Sequence, residues 1–179
     1  TVSECIVGGE KSGEIMAIKC FSLSRTEYVF VLCESGTLTL FRANGGKVSD
    51  LKLTADCPMA LDFDNESKGV MGSSGNVIVG FELTSDLRLA EGRRAEITNP
   101  GVSCVAIRPD KKLFAAGCWD ARLRLFSVKS FKLLVVLQNH KEVIQHICYS
   151  PVRVQSWNTQ WLLAAASKDG RITLWDLYS

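Results

Sequence analysis

Apolar positions along this chain come in short alternating runs, and four of those runs end alike. Ser35-Gly36-Thr37-Leu38-Thr39-Leu40-Phe41, Gly75-Asn76-Val77-Ile78-Val79-Gly80-Phe81, Asp120-Ala121-Arg122-Leu123-Arg124-Leu125-Phe126 and Asp169-Gly170-Arg171-Ile172-Thr173-Leu174-Trp175 each pass from a turn into alternating residues and close on an aromatic. Alternation with period two is the mark of a strand, and no long stretch keeps the 3.6-residue period of a helix. The pattern predicts an all-β chain. First strands are expected from about Ile15, Pro58, Val102 and Val143, second strands from about Tyr28, Lys68, Leu113 and Trp161, and the aromatic-ended segments are third strands. Fourth strands are expected at Leu51 to Leu53, between Leu87 and Ile97, and at Leu133 to Leu137, with none after Trp175. Val2 to Val7 reads as an outer strand of a sheet that precedes Thr1.

The terminal aromatics lie 40, 45 and 49 residues apart, the period of a four-stranded propeller blade. The predicted organisation is a partial propeller with blades at about 15–53, 58–97, 102–137 and 143–177, after the outer strand at 2–7. Within a third strand, alternation sends Ile172 and Leu174 to one face and Arg171, Thr173 and Trp175 to the other. Neighbouring blades cover both faces, so each must tolerate burial. The small residues Ala115-Ala116-Gly117 and Ala164-Ala165-Ala166 let adjacent sheets approach closely. Four blades alone would leave two inter-blade faces open, larger than a monomer usually exposes. A preceding segment, another chain or self-association is expected to cover them.

The run Lys168-Asp169-Gly170-Arg171-Ile172-Thr173-Leu174-Trp175-Asp176 resembles the end of a repeat of the WD-repeat β-propeller family, Trp175-Asp176 being its signature dipeptide. Cys118-Trp119-Asp120-Ala121-Arg122-Leu123-Arg124-Leu125-Phe126 resembles the same element with Phe for Trp. The resemblance implies that a turn aspartate, a loop histidine, a second-strand Ser or Thr and the Trp form a buried hydrogen-bonded set in each blade. His140, Asp169 and Trp175 match that set, Asp120 and Phe126 stand at two of its positions one blade earlier, and the Ser/Thr position falls on Ala165. In the first two blades Ser35 and Gly75 replace the aspartate.

From about Ala60 onward, Leu61-Asp62-Phe63-Asp64, Ile97-Thr98-Asn99-Pro100-Gly101 and Ile107-Arg108-Pro109-Asp110 resemble an ASTRA-associated branch of that family. The resemblance implies the C-terminal part of a seven-bladed ring. Its implied role is adaptor in the cochaperone machinery that matures phosphatidylinositol-3-kinase-related protein kinases, with that assembly and its kinase clients as partners and no nucleotide site. A generic WD adaptor in signalling or in a ubiquitin-ligase complex is the alternative.

Charge adds little direction. Twenty-one basic and nineteen acidic residues are interspersed, so no large single-sign field recruits nucleic acid or an anionic membrane. The basic clusters Arg93-Arg94, Lys111-Lys112 and Arg122 with Arg124 read as solvated faces. No apolar run approaches the twenty or so residues of a spanning helix. Seven cysteines without a Cys-x-x-Cys pair read as buried, reduced thiols, which points to cytoplasm or nucleus.

No constellation of catalytic residues emerges, and no cofactor or metal is expected. Gly69, Gly72 and Gly75 lack a following Gly-Lys-Ser/Thr and read as a tight turn. Asp62, Asp64 and Glu66 mimic a calcium loop, but Ser67 and Ser73 stand where it needs Gly and Glu, so a solvated turn is expected. His146 and Cys148 face the same side of a strand without a second pair of ligands. The residues singled out for partner binding are Trp119 and Lys168, in turns on one propeller rim. Trp119 is either an exposed anchor or a cap folded over its own blade.

Overall fold

A computed structural model describes residues 12–157 and 161–177. The first sheet comprises β1 (Ile15–Leu23), β2 (Thr26–Cys33), β3 (Thr37–Arg42) and β4 (Lys47–Lys52), and the second β5 (Pro58–Phe63), β6 (Lys68–Ser73), β7 (Val77–Leu83) and β8 (Leu89–Glu96). The third comprises β9 (Val102–Ile107), β10 (Leu113–Cys118), β11 (Leu123–Ser127) and β12 (Leu133–Leu137), and the fourth β13 (Ile144–Tyr149), β14 (Leu162–Ser167) and β15 (Ile172–Asp176). Each sheet is an antiparallel meander in chain order, and β15 is the outer strand of the last one among the described residues. The strand expected at Val2 to Val7 lies outside the described residues.

All four sheets share a local irregularity. In β1 one extra residue, Met16, interrupts the register against β2, because Ile15 pairs with Cys33 and Ala17 with Leu32. Met59 in β5, Ser103 in β9 and Gln145 in β13 interrupt the same place in the other three sheets. These bulged residues are 43, 44 and 42 residues apart, a tighter period than the aromatics keep. The widest aromatic gap arises from the connection between β13 and β14, which lengthens the last repeat after its bulge. A bulge bends its strand and increases local twist, which a blade needs at the strand nearest the axis.

The cores lie between sheets, and alternation along each strand decides which core a residue joins. Phe114, Ala116 and Cys118 of β10 pack with Ala60, Val70 and Ile78 of the second sheet, whereas Leu113 and Ala115 pack with Ile144, Ile147 and Leu163 of the fourth. Between the first two sheets, Phe30, Leu38 and Leu40 meet Phe63, Met71 and Phe81. Each interior sheet therefore buries both faces, and its second strand can present no polar face.

The two ends of the stack differ. On the last sheet Ile172 and Leu174 are 73% and 43% exposed, as an open inter-blade face requires. On the first sheet Val31, Cys33 and Phe41 form a small buried cluster facing away from the second sheet, so that end is not open in the same way. Gly69 and Gly72 are strand residues of β6, not turn residues. A side chain at Gly69 would collide with the Phe81 ring and one at Gly72 with Val102, so close packing between strands and between sheets explains both.

Candidate partner-binding rim

In every meander the turn between second and third strands lies at the same end as the connection to the next sheet, so those segments form one rim. Hydrogen bonds tie each turn to a neighbouring connection: the Gly101 N–H donates to the Gly75 carbonyl of the blade before it, the Trp119 N–H to the Gly101 carbonyl, and the Lys168 N–H to the Val143 carbonyl at the start of its own blade.

The rim is stiffened in the fourth blade by a chain of polar side chains. His140 Nδ1 lies 3.2 Å from Asp169 Oδ2, His140 Nε2 lies 2.8 Å from Thr173 Oγ1, and Trp175 Nε1–H donates to the same oxygen at 2.9 Å. A neutral ring that gives its Nδ1 proton to the carboxylate keeps Nε2 as acceptor, so Thr173 accepts from the indole and donates to the histidine. The hydroxyl thus comes from β15. Ala165, at the family's usual second-strand position, pairs with Thr173 across the sheet, and its methyl is fully buried. A Thr two residues before the Trp fills the gap that the sequence leaves at Ala165. Asp169 also accepts the N–H groups of Lys141 and Arg171, at 3.0 and 2.9 Å, and these, with His140, outweigh partial desolvation and hold its carboxyl down at about 2.

The third blade repeats the geometry with other residues. Asp120 takes the place of Asp169, Asn99 that of His140, Arg124 that of Thr173 and Phe126 that of Trp175. Asn99 Nδ2 donates to Asp120 Oδ2 at 3.0 Å, and Arg124 donates to both carboxylate oxygens at 2.9 and 2.7 Å. Burial pushes the Asp120 carboxyl up, but the Arg124 and Asn99 hydrogen bonds prevail and bring it to about 2. Arg124 is only 3% exposed, so it is a buried ion-pair partner and not part of a solvated basic face. A fork of five donors suits this position because one planar group satisfies both oxygens at once. The second blade has Gly75, Val79 and Phe81 at the corresponding positions, and the first has Ser35, Thr39 and Phe41.

Trp119 folds back and yet stays partly exposed. Its ring lies over Gly101, where no Cβ fits beneath it, and it remains 42% exposed. Pro100-Gly101 therefore serves as the floor for an aromatic that still presents one face to solvent. Lys168 is exposed in the neighbouring turn.

Away from the rim, the first strands of all four blades line one cavity of about 380 Å³, with Lys19 and Asp62 on one side and His146, Cys148 and Tyr149 on the other. Asp62 bridges blades: it pairs with Lys19 at 2.7 Å and accepts the Ile107 N–H at 2.7 Å. Asp64 Oδ1 accepts the N–H groups of Glu66, Ser67 and Lys68, and Glu66 pairs with Lys111. The acidic segment is therefore consumed by a turn and by inter-blade contacts instead of being merely solvated, and Lys111 is not a free surface cation. Arg108, buried, pairs with Asp110 and donates to the Leu177 carbonyl at 3.0 Å, lacing the third blade to the end of the fourth. Arg-Pro-Asp was legible as a motif, but its clasp on Leu177 was not.

Among the described residues no three His, Cys, Asp or Glu side chains converge as a metal site. Cys33, Cys104 and Cys118 are buried, and burial raises the last two thiols to about 11. Cys20 and Cys148 are exposed on first strands, contrary to a uniform reading of buried thiols, because those strands border the axial cavity. Cys5 lies outside the described residues.

The family model described as "WD domain, G-beta repeat" matches residues 94–127 and 131–176, which are the third and fourth blades. Guanine nucleotide-binding protein subunit beta-like protein 1 of Mus musculus is 38% identical over 147 residues, covering 81% of this chain and 43% of that protein. ASTRA-associated protein 1 of Aspergillus flavus is 26% identical over 94% of this chain and 52% of its own length, and that of Schizosaccharomyces pombe is 36% identical over 44% of this chain and 19% of its own. The chain thus spans about half the length of the first two relatives. Sequence likeness and sheet geometry meet on the same residues: the chain carries WD repeats, and they fold as propeller-type sheets.

Proposed function

We propose that this chain is a non-enzymatic protein-interaction scaffold, an adaptor in the cochaperone machinery that matures phosphatidylinositol-3-kinase-related protein kinases, acting in the cytoplasm or nucleus. The observation that carries the reading is the similarity to ASTRA-associated protein 1 along nearly the whole chain. The geometry supports it physically. Rigid inter-blade cores hold a rim whose turns are fixed by buried polar sets, and partner-binding loops work best on such a scaffold. The contact surface is the rim of blades 3 and 4, with Trp119 as anchor and Lys168 beside it. A further sheet, supplied by a preceding segment or by another chain, covers Ile172 and Leu174.

Affinity purification of the full-length protein with quantitative mass spectrometry tests the assignment. Enrichment of cochaperone subunits and of kinases of this class is expected, and depletion of the protein should lower the kinases' steady-state abundance. Enrichment of ubiquitin-ligase or signalling subunits without those kinases would instead support the generic adaptor, which rests on the WD repeats alone.

A further inference from the structure

The net charge of +2 conceals a division of the rim. Over blades 1 and 2 the exposed charges at that end of the sheets are Glu14, Glu34, Asp56 and Glu96, opposed by Lys52 and by Arg94, which reaches the Leu53 carbonyl and is itself paired with Glu91. Over blades 3 and 4 they are Lys141, Lys168 and Arg171, joined by the half-exposed Arg122 and opposed by Glu142. The two other carboxylates of the basic sector are spent, Asp120 on Arg124, Asn99 and Arg122, and Asp169 on His140 and backbone N–H groups, so among the described residues the cations left there without a salt bridge are Lys141, Lys168 and Arg171. Trp119 stands in this basic sector. Its neighbour Gly117 and the blade-4 residue Ile144 both accept from the Ser103 hydroxyl, and Lys168 is bonded to Val143, so the two turns are adjacent.

We infer that the blade 3 and 4 sector of the rim docks an extended, acidic segment of a partner protein, whose carboxylates meet Lys141, Lys168 and Arg171 while an apolar side chain lies on the exposed face of Trp119. The inference rests on the adaptor reading but not on which complex the adaptor serves. A Trp supported from below by Gly101 is already ordered, so little side-chain entropy is lost when a ligand packs on it. The cations supply orientation and association rate more than affinity. A polynucleotide fits less well, because a phosphate backbone tracking along the rim would run directly into the acidic sector of blades 1 and 2.

The probe is a fluorescein-labelled twelve-residue peptide containing six Glu or Asp and one Leu, titrated against the full-length protein by fluorescence anisotropy. Saturable binding is expected, weakening steeply with salt. Trp119→Ala should weaken it about 10-fold or more, in the range of an aromatic hot spot. The combined K141E/K168E/R171E variant should abolish it, and the same peptide with Lys for every acid should not bind. Because Lys141, Lys168 and Arg171 are exposed, the charge-reversed variant should melt like the wild type, with K141Q/K168Q as the milder form, and Trp119→Phe, which keeps a ring over Gly101, serves where Trp119→Ala lowers the melting temperature.

Absence of saturable peptide binding would overturn the inference, as would equal binding by wild type and charge-reversed protein. So would tighter binding of a labelled twenty-nucleotide RNA that is lost in the same variants, which would make the sector a nucleic-acid surface. None of these outcomes bears on whether the purified protein brings down the cochaperone assembly, so the two readings fail separately.

Discussion

Between blades 1 and 2 the faces meet through aromatic rings: Phe21, Phe30, Phe63 and Phe81 contact one another with centroids 4.7 to 6.1 Å apart, and Tyr28 stacks on the edge of the group. Blade 3 keeps a smaller ring cluster, Phe126 and Phe131 each lying 4.9 Å from Phe114, but in blades 3 and 4 the rim end of each sheet is also fixed by polar side chains through Asp120 and Asp169. The same strand order and the same first-strand bulge serve both halves, so the topology does not depend on the polar set. What the polar set adds is side-chain hydrogen bonding across the rim turns, and the basic, Trp-bearing sector lies over the half that has it. The family match also begins at residue 94, where the polar chemistry starts.

The sharpest way to break the aromatic half is Phe30→Ala. Phe30 is fully buried and touches Phe21, Phe63 and Phe81, so truncation should cost about 3 to 5 kcal/mol through lost burial and a residual cavity. Segment-resolved hydrogen exchange should show lost protection across residues 15–83 and much smaller changes across 102–177. A uniform loss over all four blades would show that the halves do not differ in this way.

The corresponding break in the polar half is Asp120→Ala, which strands Arg124 with its charge buried. Removing one partner of a buried pair is worse than never having had it, and about 3 kcal/mol of destabilisation is expected. The double variant D120A/R124L should recover a good part of that, because an apolar side chain then replaces the orphaned charge. Chemical denaturation of the single and double variants checks both. A double variant no better than the single would mean that packing, not the stranded charge, dominates.

Acid sharpens the contrast further. Asp120 titrates at about 2 in the folded chain against an ordinary value near 4, so its contribution is present above the ordinary value and drains away as the pH falls from about 4 toward 2. The loss is on the order of 2 kcal/mol and should appear as earlier exchange in blade 3 than in blades 1 and 2 over that window. Exchange that accelerates equally in all blades would assign acid sensitivity elsewhere.

Much of this architecture was readable before any coordinates, and the unread part has a physical reason. Alternation and the aromatic period expose strands because burial on both faces demands them, and the repeat survives wherever the strand does. The bulges at Met16, Met59, Ser103 and Gln145 are structurally equivalent yet share no chemistry, since a bulge is set by backbone register and leaves no residue preference here. The Phe cluster joins residues from separate strands of two sheets, so no local pattern announces it. Arg124 looked like a surface cation because its carboxylate, four residues earlier, becomes a partner only when the turn folds back. The rim charge division is invisible in a linear count, because only the fold decides which charges of each blade stand at the rim end and which are paired inward.

The smallest effect bears on whether the fourth blade's network is complete. Thr173→Val removes the hydroxyl shared by His140 and Trp175, leaving one ring nitrogen and one indole N–H without a partner, for a cost of about 1 to 2 kcal/mol. Ala165→Ser alone should change stability by less than about 0.5 kcal/mol, since Thr173 already satisfies those groups. Because Ala165 and Thr173 face each other across β14 and β15, the serine can reach the same two nitrogens once Thr173 is gone. A165S/T173V should therefore regain most of what T173V loses, measured as a coupling energy in a double-mutant cycle. Additive effects would mean that the hydroxyl must come from β15. Strong coupling would mean that the position is interchangeable between strands and that the blade requires only a hydroxyl between histidine and indole.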